Sequence, residues 1–177
     1  ADEKVRNLLY DSQARIQTMS RVHEFLYQSD NFQDINMKDF LDQLVLDIKS
    51  VYLDAGYRRI DFTIHVDEVE MAVDLAVPCG LIMNELVSNS VKHAFPDDSI
   101  GSSGNRVELF LKREAEYIRF GVVDNGKGLP DAGVIIAQKS LGMELVTILT
   151  EQLHGKIEFS KNGSGTGTRA EVCIRTE

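Results

Sequence analysis

Glu85, Asn89 and Lys92 recur at i, i+4 and i+7 within PCGLIMNELVSNSVKHAF (78–95). At about 100° per residue they form one file along a helix, flanked by Asn84 and His93. A carboxylate, a carboxamide and an ammonium in one row suit either a solvated face or a polar ligand. A second group is Asp124-Asn125-Gly126-Lys127-Gly128, where an alternating apolar strand runs out. A carboxylate there can turn inward and accept a hydrogen bond from a ligand, while the glycines let backbone approach it closely. The same residues also fit a plain type I′ turn. A third is Ser140-Leu141-Gly142-Met143 at the start of a helical pattern, preceded by Lys139. Backbone N–H groups at a helix start suit a phosphate, with the lysine as counter-charge. The fourth, Gly163-Ser164-Gly165-Thr166-Gly167-Thr168, is by itself a flexible hairpin.

These groups need a scaffold, and the hydrophobic pattern supplies one. The 78–95 stretch reads as a helix opening on Pro78 and closing before Pro96, with Cys79, Met83, Leu86, Val87, Ser90 and Ala94 on its apolar or small side. Residues 2–28 carry a heptad seam of Val5, Leu9, Ser12, Ile16, Met19, His23 and Leu26, which one helix cannot bury alone. The polar stretch QSDNFQDIN (28–36) reads as a connector, with a domain boundary at 35/36. Asn36 is placed to cap the next helix, and Asp39 favours its positive end; Phe40, Leu41, Leu44, Ile48, Val51 and Tyr52 mark its core side.

Strands are expected near 59–66, 106–112, 117–124, 156–160 and 168–175, with a short one over Met71–Leu75. Residues 96–105 read as a loop. A further helix, about Leu141 to His154, uses Leu145, Ile148, Leu149 and Leu153 as its apolar side and Gly155 as its C′ residue. The order predicts an α/β two-layer sandwich with a mixed, largely antiparallel sheet and helices on one face, preceded by a long N-terminal helix. Neither G-x-x-x-x-G-K-[ST] nor G-x-G-x-x-G at a strand-to-helix turn occurs.

Composition narrows the classes. The 177 residues suffice for one sizeable core, and the net charge of −9 argues against nonspecific nucleic-acid or anionic-membrane binding. Cys79 and Cys173 lack any metal-ligand spacing and read as reduced, buried thiols of a cytoplasmic domain. No apolar run reaches the roughly 18–20 residues of a membrane span. A start inside an apparent helix suggests a piece of a longer protein.

NELVSNSVKHAF, DNGKGLP, SLGMELV and GSGTGT, in this order, resemble the N, G1, G2 and final glycine boxes of the Bergerat-fold ATPases. That superfamily includes histidine kinases, type II topoisomerases, mismatch-repair ATPases and heat-shock chaperones. AVPCGLIMNELVSNSVKHAF is similar to the histidine kinases whose dimerisation region carries the second histidine-kinase-A signature, and residues 12–32 resemble that region's second helix. The resemblance implies ATP and Mg²⁺ as ligands. It assigns Asn89 to the metal, Lys92 to phosphate, and His93 to the neighbourhood of the adenine. Asp124 would accept the adenine amino group, with Gly126 and Gly128 making room. Lys139, Leu141, Gly142 and Met143 would lie along the phosphates, Gly167 and Thr168 at the adenine end, and 129–140 would form a lid. Asn84 is included with the nucleotide-binding row. Glu85 is the candidate catalytic residue, as base, second-shell group to the metal, or positioning residue.

The expected reaction moves the γ-phosphoryl of ATP to a histidine on a missing dimerisation helix, then to an aspartate of a response-regulator receiver domain. The full protein would be a homodimer. His23 falls on the second helix and is not taken as the acceptor, so this chain is expected to bind ATP without phosphorylating itself. The alternative is an ATP-hydrolysing conformational module of the topoisomerase or chaperone type with Glu85 as base.

Overall fold

A computed structural model describes residues 34–54, 60–95, 104–128, 140–163 and 166–175, the side chains of 51–54 excepted, together with seven isolated positions nearer the N-terminus. Those seven (Leu9, Ser12, Gln13, Ile16, Gln17, Ser20 and Glu24) are all helical, and the seam residues Leu9 and Ile16 are each 64% exposed. The seam residue Ser12 is exposed as well; Val5, Met19, His23 and Leu26 lie outside the described residues, as do Lys139 and all of the expected lid except Ser140.

The expected connector ends earlier than its composition suggested. Asp34–Asn36 is a strand, β1, paired antiparallel with β3 (Glu70–Ala72), and it buries Ile35 opposite Met71. One buried isoleucine is a weak signal inside a polar run, and only its distant partner makes it a strand. Helix α1 (Met37–Asp54) follows directly. As expected, Asn36 Oδ1 caps it, accepting from Lys38 N at 3.0 Å and Asp39 N at 3.1 Å. Phe40, Leu41, Leu44, Val45 and Ile48 form its buried side.

The main sheet has the order β2-β4-β5-β7-β6. Its strands are β2 (Ile60–Val66), β4 (Asn105–Glu114), β5 (Tyr117–Asp124), β6 (Lys156–Lys161) and β7 (Thr168–Arg175). Only β2 and β4 run parallel; every other pair is antiparallel. Alternation decides the faces. Val107, Leu109 and Leu111 of β4, Ile118, Phe120 and Val122 of β5, and Ala170, Val172 and Ile174 of β7 belong to the one buried core with α1, α2 and α3. Arg119, Arg169 and Glu171 occupy the opposite face, where Arg169 stacks over Phe110 and pairs with Glu171. Cys79 is fully buried, and burial pushes its thiol far up from the ordinary value; Cys173 is only half-buried. His65 is exposed, as the alternation required.

Two helix boundaries differ from the sequence reading. Helix α2 runs Val73–His93, so the expected strand over Met71–Leu75 stops at Ala72 and Pro78 lies inside the helix. The ring forfeits one hydrogen bond to the Asp74 carbonyl. Packing offsets that loss, since Ala76, Pro78 and Cys79 are all buried. Helix α3 (Leu141–Gln152) is capped by Ser140 Oγ, which accepts from Met143 N at 3.2 Å.

At the far end of α3, His154 rather than Gly155 takes the left-handed C′ position, with φ +51°. His154 N donates to Glu151 O and Gly155 N to Thr150 O, each at 2.9 Å, a Schellman closure with Gly155 at C″. Gly155 is required for space: a Cβ there would lie 2.7 Å from Ile174 Cγ2. The core side of α3 also differs. Val146 is fully buried, whereas Ile148 is 54% exposed.

Candidate functional site

Helix α2 is buried almost all round, including Asn84, Glu85, Ser88 and Ser90. The Glu85–Asn89–Lys92 file is therefore not a solvated face: Glu85 is 5% exposed, Asn89 and Lys92 are half-buried, and His93 alone is open. Burying four polar side chains on one helix is unfavourable unless they have partners, so their surroundings matter. Asn84 lies about 140° round the helix from Asn89. It is wholly buried, and its Oδ1 lacks a hydrogen-bond partner among the described residues.

Asp124 is the last inward residue of β5, opposite Val107 on β4, and is 4% exposed. Three donors from three parts of the chain reach its carboxylate. Gly126 N donates to Oδ1 at 2.9 Å, Thr168 N to the same oxygen at 3.1 Å, and Ser90 Oγ to Oδ2 at 3.2 Å. Asn162 Nδ2 donates to the Asp124 carbonyl at 3.0 Å. Burial raises the carboxyl pKa above its ordinary value and outweighs the three hydrogen bonds, which pull it down.

Close backbone contacts explain the glycines. A Cβ on Gly126 would fall 2.3 Å from Ala94 O, at the end of α2, and Lys127 N donates to that same carbonyl at 2.8 Å. Gly167, with φ +97°, would place a Cβ 2.0 Å from Asp124 O. Gly128, with φ +75°, lies against Gly167. Asp124-Asn125-Gly126-Lys127-Gly128 is therefore a loop clamped between the end of α2 and the start of β7, not a hairpin turn. Asn125 fixes its other side, accepting from Arg106 N at 2.7 Å and donating to Gly104 O at 3.0 Å.

The Ser140–Met143 segment joins through α3. Asn89 Nδ2 donates to Met143 Sδ at 3.4 Å. A thioether only accepts, so the carboxamide oxygen is the end left for another partner. Gly142 and Met143 are half-buried in the first turn of α3, whereas Leu141 is 62% exposed.

All four sequence motifs thus meet, through Asp124–Ser90, Asp124–Thr168 and Asn89–Met143. Ser90 and Asn162 escaped the sequence reading. A serine beside the functional row looks like small-residue packing, and Asn162 looks like hairpin polarity. Chemically, the arrangement offers a buried carboxylate acceptor at one end. At the other it offers a carboxamide oxygen, a lysine and helix-start N–H groups.

Residues 75–177 match the family model described as "Histidine kinase-, DNA gyrase B-, and HSP90-like ATPase", and residues 1–52 match one described as "Histidine kinase". This chain belongs to the histidine kinase-, DNA gyrase B- and HSP90-like ATPases. Relatives of this ATPase unit include the sensor histidine kinase PdtaS of Mycolicibacterium smegmatis, 29% identical over 99% of this chain. The blue-light-activated histidine kinase 2 of Erythrobacter litoralis is 28% identical over 67% of it. The chain spans 34% of the length of each. Among solved structures, the histidine kinase domain of the Erythrobacter litoralis EL346 blue-light activated kinase superposes with a TM-score of 0.76 at 22% identity. That match covers 93% of this chain and 74% of the other, and it confirms the mixed sheet with helices on one face. Among the described residues, no helix is long and apolar enough to cross a membrane.

Proposed function

We propose that this chain is the ATP-binding catalytic unit of a cytoplasmic two-component sensor histidine kinase. The parent enzyme would transfer the γ-phosphoryl of ATP to a histidine on a dimerisation helix outside this chain, and then to a receiver-domain aspartate. We place the division between dimerisation helix and ATP-binding unit just ahead of β1, at 33/34 rather than the expected 35/36, because β1 pairs with β3. The exposed Leu9 and Ile16 belong to a seam suited to a helical-hairpin dimer.

The observation that carries the reading is the convergence on Asp124. A carboxylate held by Gly126, Thr168 and Ser90 keeps an acceptor for an adenine amino group, and the closely packed backbone of Gly126, Gly128 and Gly167 would border the ring. His93, exposed at the end of α2, would border that ring. Lys92, Lys139, Leu141, Gly142 and Met143 would lie along the phosphates, with backbone N–H groups at the α3 start facing negative charge. Asn84 Oδ1 is a buried acceptor in need of a donor.

The donor set also fits Mg²⁺. Met143 takes the Asn89 amide nitrogen, which leaves Oδ1, a hard oxygen, for the metal. Among the described residues, no group of three or more His, Cys, Asp or Glu side chains could form a metal cage by itself. One protein oxygen therefore suits a cation whose other ligands are phosphates and water. When bound, the metal would supply neutralisation of phosphate charge. The residues themselves position the nucleotide and, through Lys92 and the α3 start, offset its charge, the main protein contributions to phosphoryl transfer.

Titration calorimetry tests this. The wild type is expected to bind ATP with Mg²⁺. Asn89→Ala should lose most of the Mg²⁺-dependent part, and no γ-phosphate should appear on a histidine of the chain alone. Steady phosphate release that Glu85→Gln abolishes while ATP still binds would instead establish the hydrolytic module.

A further inference from the structure

The hydrogen bonds around Asp124 can be counted. A carboxylate offers about four acceptor positions, two on each oxygen. Gly126 N and Thr168 N fill both positions on Oδ1, at 2.9 and 3.1 Å. Ser90 Oγ takes one on Oδ2, at 3.2 Å, so among the described residues a single position remains. The two backbone donors are fixed by the clamped glycine loop and by β7. Ser90 alone among the described residues contributes a side-chain hydrogen, and the residue is 9% exposed.

We propose that Ser90 is a positioning residue that sets base selection: by committing its one hydroxyl hydrogen to Asp124 Oδ2, it leaves one acceptor, suited to a purine 6-amino group and closed to a 6-oxo group. This rests on the reading of the surroundings of Asp124 as an adenine site. A 6-amino N–H completes the carboxylate. A 6-oxo oxygen turns a lone pair toward another lone pair, and Ser90 has no second hydrogen to relieve the conflict. The hydrogen bond to a charged oxygen is also the stronger of the two Ser90 could make. With alanine at this position, a water can occupy the hydroxyl's place. Water has two hydrogens, so it can donate to Oδ2 and to a 6-oxo oxygen together and weaken the discrimination.

The test is calorimetry on the whole chain with Mg-ATP and with Mg-inosine triphosphate, for wild type, Ser90→Ala and Ser90→Thr, with melting temperatures recorded. The preference for ATP over the inosine nucleotide should fall about fivefold to tenfold in Ser90→Ala, the size of one net hydrogen bond. Ser90→Thr, which keeps the hydroxyl, should restore it. An unchanged ratio in Ser90→Ala would overturn the proposal, as would parallel weakening of both nucleotides with a lowered melting temperature, which would make Ser90 a packing residue only. A wild type that binds neither nucleotide would overturn this proposal and the adenine-site reading together; retained ATP binding with an unchanged ratio would overturn the role of Ser90 alone.

Discussion

Asp124 sets a function against stability. Its pKa is raised in the folded chain, so folding takes up a proton between the ordinary carboxylate value of 3.8 and the raised one. The contribution of Asp124 to the stability of the empty domain therefore falls as pH rises through that window and is flat above it. Asp124→Asn removes the buried charge and keeps the geometry. Its Oδ1 still accepts from Gly126 and Thr168, while its amide donates to Ser90 instead of accepting. The variant is expected to melt higher than the wild type at neutral pH and to lose the Asp124 part of the pH dependence. It should also bind ATP at least about tenfold more weakly, because an N–H now faces the adenine amino group. Melting curves across pH, paired with calorimetry, check both halves. The carboxylate itself was legible from DNGKG, because a charged residue ending an apolar strand is unusual. Its partners were not: Ser90 and Asn162 lie 34 and 38 residues away, and no local pattern links them.

At the scale of elements, short-range rules gave the right answer where the signal was local. The Asn36 cap, the β2 alternation and the β4–β5 hairpin all follow from neighbours within a few residues. They failed where long-range packing decided. Pro78 looked like a helix start, yet burial carries α2 back to Val73. Ile148 looked like core because its spacing fits, whereas α3 packs Val146, Leu149 and Thr150 inward. Val146→Ala should cost roughly 2 kcal/mol and Ile148→Ala less than about 0.5 kcal/mol in urea unfolding. The same measurement applies to the α3 C-terminus. A left-handed histidine is strained, so His154→Gly should stabilise by roughly 1 kcal/mol.

For the whole molecule, the sheet order explains why motifs so far apart in sequence form one site. β5 lies between β4 and β7, so the loop after Asp124 emerges beside the start of β7, which supplies Gly167 and Thr168. Helix α2 crosses the same end, and α3 brings Met143 to Asn89. A net charge of −9 does not exclude an anionic nucleotide, because a small site can be locally positive on an acidic protein. The convergence of these motifs is the central claim. Titrating the ¹⁵N-labelled chain with a Mg²⁺-bound, non-hydrolysable ATP analogue tests it most directly. The amide signals of Ser90, Gly126, Met143, Gly167 and Thr168 should all shift along one saturation curve. Shifts confined to one of these segments, or curves with different midpoints, would contradict a single shared site.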